Sequence, residues 1–196
     1  MSSTTVLIML ITFCYICTKC AAAASPKLSD DEEAKLVQTI KRIENASDDE
    51  IENVLKQMAA GGSNALKQSV DGIIKDLNED YEFFKKVVDE ASTHLSPKAN
   101  QKLQNQKQLV LDRKLTQEEF DKKLAAIESN PDVEEELKSS NLDLVLDIDP
   151  FANDFFELDK NNDGFVSLEE LSTEKAKKAD INGDGKLSPY EYVRMG

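Results

Sequence analysis

Asp159, Asn161 and Asp163, and again Asp180, Asn182 and Asp184, set oxygen-bearing side chains at alternate positions of the chain. Each trio is followed by a glycine, Gly164 or Gly185, and then by Ser167 and Glu170 or Ser188 and Glu191 at matching offsets. Alternate oxygens around a sharp turn suit a hard cation. Calcium takes six to eight oxygens at about 2.3–2.6 Å. Positions 1, 3 and 5 of a twelve-position loop supply the first three, and position 6 turns through angles that glycine tolerates most easily. Position 7 offers a main-chain carbonyl, so its side chain is free to be Phe165 or Lys186. Position 9 usually reaches the ion through water, and position 12 closes the set with a bidentate carboxylate. The candidate Ca2+ ligands are therefore Asp159, Asn161, Asp163, Phe165 and Glu170, and Asp180, Asn182, Asp184, Lys186 and Glu191. The competing reading is an Asp/Asn/Gly-rich turn that binds nothing, and two full sets in tandem argue against it.

The elements that present these ligands are also encoded locally. Ser167 to Glu170 and Ser188 to Glu191 read as Ser-x-x-Glu helix starts, with Pro189 at a first-turn position, so each closing glutamate is delivered by a helix. Val166 and Leu187, at position 8, suit a short strand contact between the loops. Asp149-Pro150 opens an entering helix with Phe151, Phe155 and Leu158 on one face. On these residues the stretch 150–196 resembles a tandem pair of the EF-hand superfamily, which implies calcium binding. The connector departs from the usual pair, because only Leu171 to Ala179 separates the loops. Either one straight helix of about 18 Å serves both loops and keeps them apart, or the helix breaks near Ser172-Thr173. Met195 is the only methionine of this stretch, which argues against a sensor that opens a Met-rich groove.

At the other end, the apolar run from Val6 to Cys17 and the small residues Ala21 to Ala24 read as a secretory signal peptide over 1–24, cleaved before Ser25. The run is shorter than a membrane span requires. Cys14, Cys17 and Cys20 all lie in that leader, so the mature chain holds no thiol and folds by burial alone. With 40% hydrophobic and 6% aromatic residues the core is modest. The chain carries 24 basic and 38 acidic side chains, a net charge of −14, and loss of Lys19 with the leader deepens it by one. Such a surface repels nucleic acid and anionic lipid. Asn45-Ala46-Ser47 is an N-glycosylation acceptor sequence, and the lone His94 has no catalytic companion. No nucleophile elbow, phosphate-cradling loop or zinc spacing is present, so no enzyme is expected. The terminal Tyr192 to Gly196 carries no retention tetrapeptide, which argues against a buffer of the secretory lumen.

Between Ser29 and Leu137 one grammar repeats: a capping residue, acids, then apolar residues at helical spacing. Ser29-Asp30-Asp31-Glu32 opens a helix carrying Leu36, Ile40 and Ile43. Ser47-Asp48-Asp49-Glu50 opens one carrying Ile51, Val54, Leu55 and Met58. A long stripe runs from Leu66 through Val70, Ile73, Leu77, Tyr81, Phe84 and Val88 to Ala91. Ser96-Pro97 starts a helix with Ala99, Leu103 and Val110, Thr116 one with Phe120, Leu124 and Ile127, and Asn130-Pro131 a short last one. This order of helices, with the runs from Leu95 and from Leu115, resembles the SXP/RAL family of secreted nematode proteins, which implies a cysteine-poor helical fold described as cation-binding.

The expected architecture is all-α: a helical bundle of five or six helices over 25–140, a connecting strap or linker over 141–149, and a compact tandem EF-hand module over 150–196. In the connecting segment Leu142, Leu144, Leu146 and Ile148 alternate with mainly acidic residues, which suits a strand, a docked strap or a plain linker. The expected function is that of a secreted calcium-binding protein whose helical domain engages an extracellular protein. The alternative is a bundle that carries a lipid or other apolar ligand, with calcium in a structural role.

Overall fold

The computed structural model describes residues 27–128, 130–142, 149–171 and 174–195, and over these the chain is all-α apart from one two-stranded ribbon. The leader expected over 1–24 and residues 143–148 of the connecting segment lie outside the described residues.

Side chains at the helix starts satisfy backbone N–H groups that have no partner in the first turn. Ser29 caps α1 (Asp30–Ile43): its hydroxyl accepts from the Glu32 N–H while the Glu32 carboxylate accepts from the Ser29 N–H. Ser47 caps α2 (Asp48–Ala60) in the same position, accepting from the Glu50 N–H. The Ser63 hydroxyl accepts from Leu66 N–H at the start of α3 (Asn64–Ala91), and the Ser96 hydroxyl from Ala99 N–H at the start of α4 (Pro97–Leu111). Thr116 and Glu119 box the start of α5 (Gln117–Ala125), and Asn130 caps α6 (Pro131–Ser139), whose first residue is proline. There follow α7 (Asp149–Leu158), β1 (Val166–Ser167), α8 (Leu168–Leu171), α9 (Glu174–Ala179), β2 (Lys186–Leu187) and α10 (Pro189–Met195). Among the described residues no helix is long and apolar enough to cross a membrane.

The chain separates into two compact units. One comprises the described residues up to Asn78 together with Asp112–Leu124. Its core joins Leu36, Ile40 and Ile43 of α1 to Ile51, Leu55 and Ala59 of α2 and to Leu66, Val70, Ile73 and Ile74 of α3. Arg113 serves as its polar clasp, with Nη2 donating to Glu52 Oε2 at 2.6 Å and Nη1 to Asn78 Oδ1 at 3.0 Å. The stripe expected on α5 is covered less than the others: Phe120 and Leu124 are half-buried, Gln117 is the buried residue of that helix, and Ile127 lies past its end. A nine-residue helix makes only about two and a half turns, so its apolar face is short.

The other unit comprises Glu79–Leu111 and the residues from Ala125 onward. Its core draws Phe83, Phe84, Val87, Val88 and Ala91 from α3, Leu103 from α4 and Leu137 from α6. It also takes Phe155 of α7, Val166 of β1, Leu187 of β2, and Tyr190, Tyr192 and Val193 of α10. The Phe83 ring centroid lies 5.1 Å from that of Phe155, and Phe155 meets Tyr192 edge-on at 5.5 Å. Residues from both sides of the 141–149 segment thus build one core, and Leu142, 2% exposed, belongs to it. The two candidate loops rest on that core.

Candidate metal centre

The short strands join the loops. Val166 pairs with Leu187 and Ser167 with Lys186 in antiparallel register, and the Leu168 N–H donates to Gly185 O at 3.1 Å. Val166 and Leu187 are both fully buried, so the ribbon is held by the core beneath it as well as by its own bonds. Of the two readings of the connector, the straight helix that keeps the loops apart is excluded by this pairing. The connector forms α8 and α9, with Ser172 and Thr173 outside the described residues.

In the first loop, backbone amides aim the acidic side chains inward. Asp159, 3% exposed, accepts from the Asp163 N–H at 3.1 Å through Oδ1 and from the Gly164 N–H at 2.8 Å through Oδ2. Asn161 Oδ1 shares the Asp163 N–H at 3.1 Å, and Asp163 Oδ1 accepts from the Phe165 N–H at 3.0 Å. Gly164 has φ +85°, a left-handed conformation in which a Cβ would strain the turn. The outer oxygen of Asp163 accepts from Lys186 Nζ at 2.9 Å, and this ammonium holds the Asp163 carboxyl below the usual carboxylate range. The Phe165 ring is 40% exposed, with the Lys186 ammonium 5.3 Å from its centroid. Glu170 lies on α8, and its side chain is outside the described residues.

The second loop repeats the scaffold. Asp180 Oδ1 accepts from the Gly183 N–H at 2.7 Å and the Asp184 N–H at 3.2 Å, and Oδ2 from the Gly185 N–H at 3.0 Å. Asn182 Oδ1 accepts from the Asp184 N–H at 2.8 Å, and Asp184 Oδ1 from the Lys186 N–H at 2.9 Å. Gly185 has φ +81°. Glu191 is the deepest of the candidate ligands whose burial is described, 1% exposed. Its Oε1 accepts from the Ile181 N–H at 2.8 Å and its Oε2 from the Ser188 N–H at 3.0 Å, while the Ser188 hydroxyl accepts from the Glu191 N–H at 3.2 Å. The Ser-Pro-Tyr-Glu helix start therefore fastens the end of the loop to its beginning.

Two residues of α3 and the turn after it meet this second loop, and neither is marked by the loop pattern. The Ser188 hydroxyl donates to Glu90 Oε1 at 2.8 Å, and the His94 ring stacks on Tyr190 at 5.5 Å and 16°. Burial pushes the Glu90 carboxyl above its ordinary range; the Ser188 bond opposes this, and the charges of Glu191 and Asp184 add to it. Burial likewise raises the Tyr190 and Tyr192 phenols. Asn141, with φ +56°, reaches the far end of α10 and donates through Nδ2 to Arg194 O at 3.2 Å.

Among the described residues no three histidine, cysteine or carboxylate side chains converge closely enough to hold a metal by themselves. The donor set is wider than that: carboxylates, side-chain amides and main-chain carbonyls, hard oxygens throughout. Each carboxylate oxygen has two lone pairs, so one that accepts an N–H keeps capacity for a cation. The set fits calcium and lacks the sulfur and imidazole donors that zinc prefers. No curated protein and no solved structure matches the chain. None of these comparisons supports the resemblance of 29–137 to the SXP/RAL family. An EF hand family model matches residues 153–173 and 177–195, the stretches that hold the two loops, and supports calcium binding there.

Proposed function

We propose that the protein is a secreted calcium-binding protein, non-catalytic, whose paired loops stabilise the second unit when they take up calcium and whose helices face an extracellular protein partner. The observation that carries this reading is the set of loop amides that hold Asp159, Asp163, Asp180, Asp184 and Glu191 in place. A scaffold so arranged spends less free energy on ordering when the ion binds. Outside cells a Kd of about 10⁻⁴–10⁻³ M is sufficient for occupancy. An occupied site adds RT ln(1 + [Ca]/Kd) to the stability of the unit that contains it.

Calorimetric titration of the chain from Ser25, with calcium and then with magnesium, tests this reading. Two calcium sites are expected, and Glu170→Gln and Glu191→Gln should each remove one. Unchanged stoichiometry in both variants would defeat the ligand assignment. Secretion rests on the apolar run and small residues of 1–24, and protein recovered from medium should begin near Ser25; an intact Met1 there would exclude the cleaved leader.

An apolar-ligand carrier is the second reading, and it rests on the amphipathic helices. A cavity of about 20 Å3 lined by Ile40, Ile51, Leu55, Ile73, Ile74 and Leu77 has room for a water-sized group and not for a lipid chain.

A further inference from the structure

Position 9 is the least committed place in a loop of this kind, because its side chain usually reaches the ion through water. In the second loop Ser188 fills that position, is 5% exposed, and turns its hydroxyl towards Glu90 Oε1 at 2.8 Å. Glu90 belongs to α3, 98 residues earlier in the chain, and its contact is braced one turn later by the stack of His94 on Tyr190. The same Ser188 hydroxyl accepts from the Glu191 N–H, so Glu90 is a single hydrogen-bonded residue away from the carboxylate that closes the loop. A half-buried carboxylate held against this loop is repelled by Glu191 and Asp184, and His94 opposes them. A divalent cation among them reverses the sign of that interaction.

We propose that Glu90 is a ligand-shell residue of the second calcium site, supplying a fourth carboxylate through Ser188 at position 9. This rests on the calcium reading above and extends it to a residue outside both loops. Two consequences follow from the chemistry. Affinity in such loops rises with the number of charged ligands, so Glu90 strengthens the second site relative to what the twelve loop residues alone provide. Calcium in that site also pulls on Glu90, which ties occupancy to the part of α3 that belongs to the second unit.

The alternative is that Glu90 merely accepts the Ser188 hydroxyl. Glu90→Gln separates the two, because a glutamine keeps the Oε1 acceptor and loses the charge. The test is calorimetry on the full chain carrying Glu170→Gln, so that only the second loop reports, with and without Glu90→Gln. The expected result is calcium binding weakened about five- to tenfold by the added substitution, with ion-free helicity unchanged and ion-free melting no lower. Equal affinity with and without it overturns the proposal. In the wild-type protein, carbon-13 labelling of glutamate carboxyls gives a measurement independent of any variant: the Glu90 resonance should move as the second loop fills, and a stationary resonance likewise overturns it. Absence of calcium heat in the Glu170→Gln parent would instead defeat the calcium reading of the second loop itself.

Discussion

Lys186 Nζ lies 2.9 Å from Asp163 Oδ2, so a residue of the second loop neutralises a candidate ligand of the first. The β1–β2 register places it there, because Ser167 and Lys186 are partners across the ribbon. Calcium approaching the first loop meets a carboxylate already paired with a cation. Lys186→Met removes that competitor and keeps the aliphatic stem. Calcium binding in the first loop should tighten about two- to fivefold at low salt, with the gain shrinking as salt screens the exposed pair. Affinity that stays the same or falls in a titration at two ionic strengths would show that the lysine does not compete.

Glu191 has a structural role that does not depend on any ion. Its buried carboxylate accepts the Ile181 and Ser188 N–H groups at 2.8 and 3.0 Å. Glu191→Ala leaves those donors without their partner and is expected to cost about 2–4 kcal/mol in calcium-free buffer. Glu191→Gln retains an acceptor and should cost less, while still weakening calcium binding. Denaturant melts of both variants in chelator check this; equal melting of Glu191→Ala and wild type would contradict it.

The loops were legible because their chemistry is local. Asp180, Asn182, Asp184 and Gly185 interact within a span of a few residues, so spacing alone reports them. The Ser29–Glu32 box was legible for the same reason. Glu90 was not, since it sits among other acids on α3 and its contact with Ser188 exists only once α3 packs on the loop. An apolar stripe tells which face of a helix is covered and not what covers it. Asn141 was hidden likewise: nothing beside it in sequence signals that its amide meets the end of α10.

Acid should unfasten the first unit through Glu32. Its carboxylate accepts the Ser63 N–H at 3.0 Å and also the Ser29 hydroxyl at 3.0 Å, joining the starts of α1 and α3. The Ser63 N–H, then the Ser63 and Ser29 hydroxyls, lower its pKa from 4.5 to about 2. A carboxyl with a lowered folded-state pKa stabilises the fold above its unfolded value, and that contribution is lost as pH falls through the folded one. The window for Glu32 is therefore from 4.5 down to about 2. Glu32→Gln should lower Tm at pH 7, and the difference from wild type should close on acidification across that window. A difference that stays constant from pH 7 to pH 2 would exclude this origin.

Phe83 tests whether calcium and the second core act together. Its ring is 1% exposed and lies 5.1 Å from Phe155 and 6.0 Å from Phe156, yet it belongs to α3 rather than to either loop. Phe83→Ala should cost about 3–5 kcal/mol through lost burial and a residual cavity. It should also weaken calcium binding at both loops, because ordering the core then becomes part of the work of binding. Full calcium affinity in a strongly destabilised Phe83→Ala would show that the loops fold independently of α3.

Asn141 separates backbone strain from hydrogen bonding at the end of the chain. It holds φ +56° and donates through Nδ2 to Arg194 O at 3.2 Å, among the last carbonyls of α10. These carbonyls have no partner inside the helix, so a side-chain donor there stabilises α10 and with it Glu191 in its first turn. Asn141→Ala loses the bond and places a Cβ-bearing residue without local polar compensation in the left-handed region, at a cost of about 1.5–3 kcal/mol. Asn141→Gly loses the same bond and adopts that conformation freely, so the glycine variant should recover about 1 kcal/mol relative to alanine. Amide exchange along Tyr190 to Val193 should quicken in both variants, since both release the helix end. Protection unchanged in both would mean that the core alone holds α10, and an alanine variant as stable as the glycine one would remove strain from the account.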